Sequence, residues 1–267
     1  MALYPEAMDA RINIDDGGRG GLPVVFVHSL AGNASQWSMQ LDHLRKERRA
    51  VAFDMRGHGL SDPSSDGDYW VETLAKDIGI VARSLDLERF VLVGHSLGGS
   101  ASIAYAGENP HRVRGLLLVD PSGDGRMLPN EIIEPFLAAL QSDDYLRTIR
   151  DYWQTLLVGS SQVVAERVMN DLYATPKDVV AGAFRDSLLF DPVSMLQRYS
   201  GPKLSVISHL NDAPYSLHNL VSDLPFIKIS GTGHWLQMDR PDELNRILDQ
   251  FLHSVEGGGK WPEDGGR

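Results

Sequence analysis

The chain has 267 residues, 42% of them hydrophobic and 23% charged, which is enough to bury one large α/β core without requiring a second domain. Acidic residues outnumber basic ones 36 to 25, for a formal charge of -11, so a polyphosphate backbone or an anionic lipid surface would be repelled and nucleic acid is excluded as an expected partner. The absence of cysteine removes disulfides, thiolate metal sites and a Cys nucleophile together.

Along the chain, Arg11 to Ile14 alternates like a half-exposed edge strand and gives way to the turn-forming run Asp15-Asp16-Gly17-Gly18. Residues 1–14 lack a basic stretch followed by an apolar core, so no signal peptide is expected. No run reaches the roughly 18 apolar residues of a membrane helix, and a soluble cytoplasmic protein with no membrane partner is expected. Val24 to Val27 is a continuous apolar run of the kind found in strands covered on both faces. A helical stretch from about Trp37 to Arg48 leads to a second such run, Ala50 to Phe53.

Leu74, Ile78, Val81 and Leu85 fall three and four apart and predict a helix over 71–85. Phe90 to Val93 is the next buried strand, Ser100 to Ala106 a helix of small residues able to lie close to a sheet, and Gly115 to Asp120 a further strand. Strand alternating with helix in this way predicts βαβ units and a mostly parallel central sheet with helices on both faces. Between 121 and 199 the periodicity becomes purely helical. Tyr145, Ile149, Tyr152, Trp153 and Leu156 form one stripe, Val180, Ala183, Phe184 and Leu188 another, and Thr175-Pro176 suits an N-cap and first helical position. Strands resume at 203–207 and 226–229, and a last helix carries Leu244, Ile247, Leu248, Phe251 and Leu252 on one face. The expected organisation is a core of 1–120 and 200–255, an inserted helical lid over 121–199, and a flexible tail over 256–267.

The chemistry concentrates at Gly94-His95-Ser96-Leu97-Gly98, where the buried run 90–93 breaks into a Gly-x-Ser-x-Gly turn. A serine hydroxyl held at a strand-to-helix corner can attack a carbonyl if a base and backbone donors stand beside it. That base needs a carboxylate to fix its tautomer. His234, in Gly231-Thr232-Gly233-His234-Trp235, follows the last strand, and Asp212, in His209-Leu210-Asn211-Asp212, follows the strand before it. Asp120 also ends a strand and is the competing acid, although its expected role is to accept backbone N–H groups where the helical insertion begins.

Three motifs, Asp54-Met55-Arg56-Gly57-His58-Gly59-Leu60-Ser61-Asp62, Gly94-His95-Ser96-Leu97-Gly98-Gly99 and Gly231-Thr232-Gly233-His234, in that chain order, resemble those of the α/β-hydrolases with a helical lid. The resemblance runs from the first strand to about Val255. It implies Ser96 as nucleophile, His234 as base and then acid, Asp212 as the orienting carboxylate, and the Leu97 N–H as one oxyanion donor. The second donor is implied in the loop after Val27, at Ser29 or Leu30. There the family usually has His-Gly and this chain has His28-Ser29, so the backbone is expected to turn differently. Trp37 and Trp235 are candidate pocket residues, while His28, His58 and His95 read as hydrogen-bonders that hold turns.

Metal-ligand patterns are absent from the sequence, and Gly57-His58-Gly59 does not make a dinucleotide fingerprint, so neither metal nor cofactor is expected. The leading expectation is a serine hydrolase cleaving carboxylic esters of small molecules through an acyl-enzyme. The alternatives are an enol-lactonase, whose Ser-Leu-Gly stretch Ser29-Leu30 resembles with Ala31 in place of the glycine, or a carbon-carbon bond hydrolase using the same triad. A small-molecule receptor on the same fold is the alternative from a different class.

Overall fold

A computed structural model describes residues 11–258. Among the described residues, seven strands form a single sheet in the order β1-β3-β2-β4-β5-β6-β7, with β1 (Ile14–Gly17), β2 (Val24–Val27), β3 (Ala50–Phe53), β4 (Phe90–His95), β5 (Val113–Val119), β6 (Lys203–Ile207) and β7 (Phe226–Lys228). β1 pairs antiparallel with β3 at the edge, and every other pairing is parallel. The continuous apolar runs expected to be covered on both faces are so covered: every residue of β2, β3, β4 and β6 is buried.

One face of the sheet carries α2 (Val71–Ser84) and α3 (Leu97–Glu108), and the other carries α1 (Ser38–Leu44) and α11 (Pro241–Glu256). The apolar residues of α11 bury against Val91, Val93 and Leu117, whereas Leu74, Ile78 and Val81 of α2 pack with Leu92, Leu116 and Leu118. Successive strand side chains point to opposite faces, so one β run supplies both cores.

Between β5 and β6 the chain forms α4 (Asn130–Gln141), α5 (Tyr145–Leu156), α6 (Gln162–Ala174), α7 (Lys177–Ser187) and α8 (Pro192–Gln197), a helical insertion without a strand. Two short helices, α9 (Leu217–Leu220) and α10 (Leu236–Asp239), lie in the later loops and lacked a sequence signal long enough to show a period.

Several local expectations differ from the structure, among them the strand expected to end at Asp120, which runs over Val113–Val119. The edge strand begins at Ile14, three residues beyond the start of the alternating stretch, and takes in Asp15 and Asp16, because its register is set by pairing with β3 and an edge position leaves charged side chains in water. Pro176, not Thr175, is the N-cap residue of α7, with Thr175 closing α6. The last helix continues through Glu256, whose carboxylate pairs with Arg48 at 2.6 Å, so the first residue of the expected tail is part of the fold. The tail from 259 onward lies outside the described residues.

Candidate active site

Ser96 occupies the corner between β4 and α3 with φ 54 and ψ -119, a left-handed conformation that costs a non-glycine residue on the order of 1–3 kcal/mol. Its N–H bonds to the Val119 carbonyl at 3.1 Å, which ties the corner to β5. The flanking glycines are required by close approach. A Cβ on Gly94 would stand 2.4 Å from the Gly98 carbonyl oxygen, and one on Gly98 would stand 2.3 Å from the His28 oxygen and 2.6 Å from that of Val27. Without side chains there, α3 starts immediately against β2 and β4. Its first N–H groups, Leu97 foremost, have no carbonyl partner within the helix.

His234 is held in the loop after β7, and its Nδ1 lies 2.6 Å from Oδ2 of Asp120. This corrects the expected pairing. Asp120 is fully buried and accepts two further hydrogen bonds, from the Ser208 N–H at 2.7 Å and the Ser208 hydroxyl at 2.9 Å. Its backbone has φ 41, so Asp120, like Ser96, sits at a left-handed corner directly after a strand. Three donors around one buried carboxylate satisfy the charge that burial would otherwise penalise.

Asp212 stands elsewhere. Its side chain is 53% exposed and its Oδ2 pairs with Lys228 Nζ at 2.8 Å, with His218 Nε2 3.6 Å from the other oxygen. Hydrogen bonding and charge from Lys228 hold its carboxyl below the usual carboxylate range. A carboxylate neutralised by lysine at the surface has neither the position nor the orientation to fix an imidazole over the sheet, and Asp212 does not line the site cavity.

The loop after β2 is organised by His28. Its Nε2 accepts the Met55 N–H at 2.9 Å, so Nδ1 carries the proton and donates to the Ser29 carbonyl at 2.7 Å. Burial pushes its basicity down, opposed by the nearby Asp54 charge. The left-handed residue of this loop is Ala31, with φ 54, whereas Ser29 is not left-handed. The strain expected from Cβ at the usual glycine position is therefore displaced two residues onward. The insertion clamps the same segment: Arg167 donates to the Ser35 carbonyl at 2.8 Å and Gln36 to Asp171 at 2.8 Å, both partners lying on α6.

Ser29, Leu30, Ser96, Leu97, Asp120 and His234 all open on one cavity of about 210 Å³. The insertion closes it with Tyr152, Trp153, Leu156, Phe184 and Leu188. Tyr152 stacks edge-on with Phe136 and Phe184, and burial raises its phenol to about 12, so it stays a neutral hydroxyl. Of the two candidate tryptophans, Trp235 lines the cavity, whereas Trp37 packs on Phe26 with ring centroids 4.9 Å apart in the core below. Among the described residues, no Lys or Arg lines this cavity, and no group of His, Asp or Glu is arranged to hold a metal ion. No helix among them is long and apolar enough to cross a membrane.

Residues 23–241 match the model of the α/β hydrolase fold family, and the chain belongs to that family. A curated relative, the 2-hydroxy-6-oxo-2,4-heptadienoate hydrolase of Pseudomonas putida, is 36% identical over 259 residues that cover 90% of this chain and 92% of that one. The dihydrolipoyllysine-residue acetyltransferase component of the acetoin cleaving system, also from Pseudomonas putida, is 36% identical over 254 residues; the match covers 88% of this chain and 65% of that protein, so the chain spans just under two thirds of its length. Among solved structures, a thermophilic esterase from Thermogutta terrifontis superimposes with a TM-score of 0.81 at 24% identity, covering 95% of this chain and 97% of that one.

Proposed function

We propose that the chain is a hydrolase that cleaves carboxylic esters of small, uncharged molecules through an acyl-enzyme, with Ser96 as nucleophile, His234 as base and Asp120 as the orienting acid. The observation that carries the reading is the 2.6 Å pairing of His234 with a buried, otherwise satisfied Asp120 on the wall of the cavity that Ser96 also lines. Asp120 holds the proton on Nδ1 and leaves Nε2 free to take the Ser96 proton as Oγ attacks the ester carbonyl. The N–H of Leu97 and one from the Ser29-Leu30 segment receive the developing oxyanion. The protonated His234 then hands its proton to the leaving alcohol, and a water activated by the same imidazole releases the acid and regenerates Ser96. The helical insertion serves as the cap that keeps bulk water from the acyl-enzyme.

Two features of the cavity favour a small neutral ester over the charged substrate in the name of the heptadienoate hydrolase. A buried carboxylate without a cation costs several kcal/mol, and no Lys or Arg among the described residues lines this wall. A volume of about 210 Å³ also lies below the ~300–1,000 Å³ of drug-sized ligand sites. Lactones share the neutral carbonyl and remain the second substrate to try.

The test is labelling with a fluorophosphonate, followed by turnover of p-nitrophenyl acetate and butyrate beside a lactone panel and a dienoate. Covalent labelling lost in Ser96→Ala, together with ester turnover, is the expected result. Stoichiometric binding of esters without turnover would assign the fold a receptor role instead, and dienoate cleavage exceeding ester cleavage would overturn the substrate class.

A further inference from the structure

The segment that carries His234 is fastened on two sides. On the side of the insertion, the His234 N–H donates to the Leu156 carbonyl at the end of α5 at 2.9 Å, and Asp239 accepts from the Gly233 N–H, the Ser160 hydroxyl and the Ser161 N–H at 3.2, 2.8 and 2.9 Å. On the side of the sheet, the His234 carbonyl accepts from Nε2 of His95 at 2.9 Å. His95 is the residue before Ser96, so this bond joins the corner that presents the serine to the loop that presents the imidazole.

The proton arrangement of His95 is fixed by its partners. Nε2 must carry a proton to donate to a carbonyl, and Nδ1 accepts from the Gln237 side-chain N–H at 3.0 Å. The reverse orientation of the Gln237 amide would set its oxygen against Nδ1 and require a second proton on the ring. His95 is completely buried, its ring centroid 4.7 Å from that of His234 and flanked edge-on by Trp37 and Trp235. Burial first, and the neighbouring His234 second, push its basicity far below the ordinary histidine range, so the neutral ring with its proton on Nε2 is the form that fits.

We infer that His95, held in one tautomer by Gln237, is a positioning residue that sets the backbone of His234 relative to Ser96. The inference rests on the serine-hydrolase reading above, and it gives the second position of the Gly-x-Ser-x-Gly turn a role distinct from shaping the turn. The bond acts on the geometry of proton transfer and not on the cavity wall, since neither His95 nor Gln237 lines the cavity. Its loss is therefore expected in kcat, with KM left in place.

The experiment compares His95→Leu, His95→Gln and Gln237→Leu, with kcat expressed per active site titrated by the fluorophosphonate. A glutamine side chain places an amide N–H close to where imidazole Nε2 stands, and leucine fills the space without a donor. Misplacement of a reacting group by ~1 Å costs up to about 100-fold, so His95→Leu should lower kcat per titrated site by roughly 10- to 100-fold at a KM within about twofold. His95→Gln should recover most of that loss, and Gln237→Leu should give a smaller kcat loss in the same direction. A role confined to stability would instead lower the titratable fraction and leave kcat per site unchanged, which would overturn the inference, as would equal losses in the Leu and Gln variants. If His95→Leu does not fold, Gln237→Leu at unchanged kcat per site overturns it alone. Failure of the wild-type protein to label at all sinks the serine-hydrolase reading, an outcome distinct from either.

Discussion

The loops that follow β5 and β6 both leave the same edge of the sheet, and each carries an aspartate, yet only one of them meets the imidazole. Asp120 is the first residue beyond β5, and the left-handed turn there, φ 41, points its carboxylate inward to three donors. Asp212 comes five residues beyond β6, where the loop has already reached solvent, and its partner is the lysine of the neighbouring strand β7. Ser208, the residue after β6 that corresponds in place to Asp120, contributes its N–H and hydroxyl to Asp120 in place of a carboxylate. The carboxylate directly at the strand end meets His234, and the one five residues further on pairs with Lys228. The first residue after a buried strand is still inside the core, and its charge is kept only if the fold supplies donors.

The effects expected of variants rank along this contrast. Removing the nucleophile comes first: Ser96→Ala should abolish ester turnover, by about 10⁶ in kcat, measured with p-nitrophenyl butyrate on protein of unchanged circular dichroism. Asp120→Asn is next, with a kcat loss of about 10⁴, since the amide would present the wrong tautomer to His234. Asp212→Asn removes a screened surface pair and should change kcat less than about twofold, an expectation that comparable assays of the two variants would break if both lost activity.

Two further changes probe the buried side of the comparison through stability. Gly98→Ala drives a Cβ into the backbone oxygens of His28 and Val27 and should cost about 3 kcal/mol in urea unfolding, with more lost if the corner at Ser96 shifts. Acid sensitivity is the gentler test. Burial lowers His58 to about 3 and also holds His28 and His95 below their ordinary value. The unfolded chain takes up protons on these histidines near 6.5 while the fold does not. Stability is therefore full above about pH 6.5 and declines as pH falls towards the folded values, by up to about 1.4 kcal/mol per pH unit for each histidine. Urea midpoints recorded from about pH 7 to 4 should show this decline, with a shallower slope in His58→Asn.

Most of the fold was legible because buried parallel strands and amphipathic helices leave periodic marks. The runs at 24–27, 50–53, 90–93 and 203–207 are all strands, and the loss of β rhythm after Pro121 marks the insertion. Ser96 at the Gly-x-Ser-x-Gly corner and His234 after the last strand carry local sequence patterns, and both line the cavity. The carboxylate that meets His234 is not legible in the sequence, since Asp120 and Asp212 both follow strands and burial is a property of three-dimensional packing. Ser208 gave no signal, because a serine at a strand end is ordinary. By its sequence context His95 holds a turn, and only the structure reveals that its partner is the His234 carbonyl, 139 residues away.

The pairing of His234 with Asp120 can be observed without any substrate. A proton shared in a 2.6 Å bond between imidazole Nδ1 and a carboxylate resonates far downfield of the amide envelope in a proton NMR spectrum. That resonance should be present in the wild-type protein and in Asp212→Asn and missing from Asp120→Asn; its survival in Asp120→Asn, with loss in Asp212→Asn, would contradict the assignment of the acid.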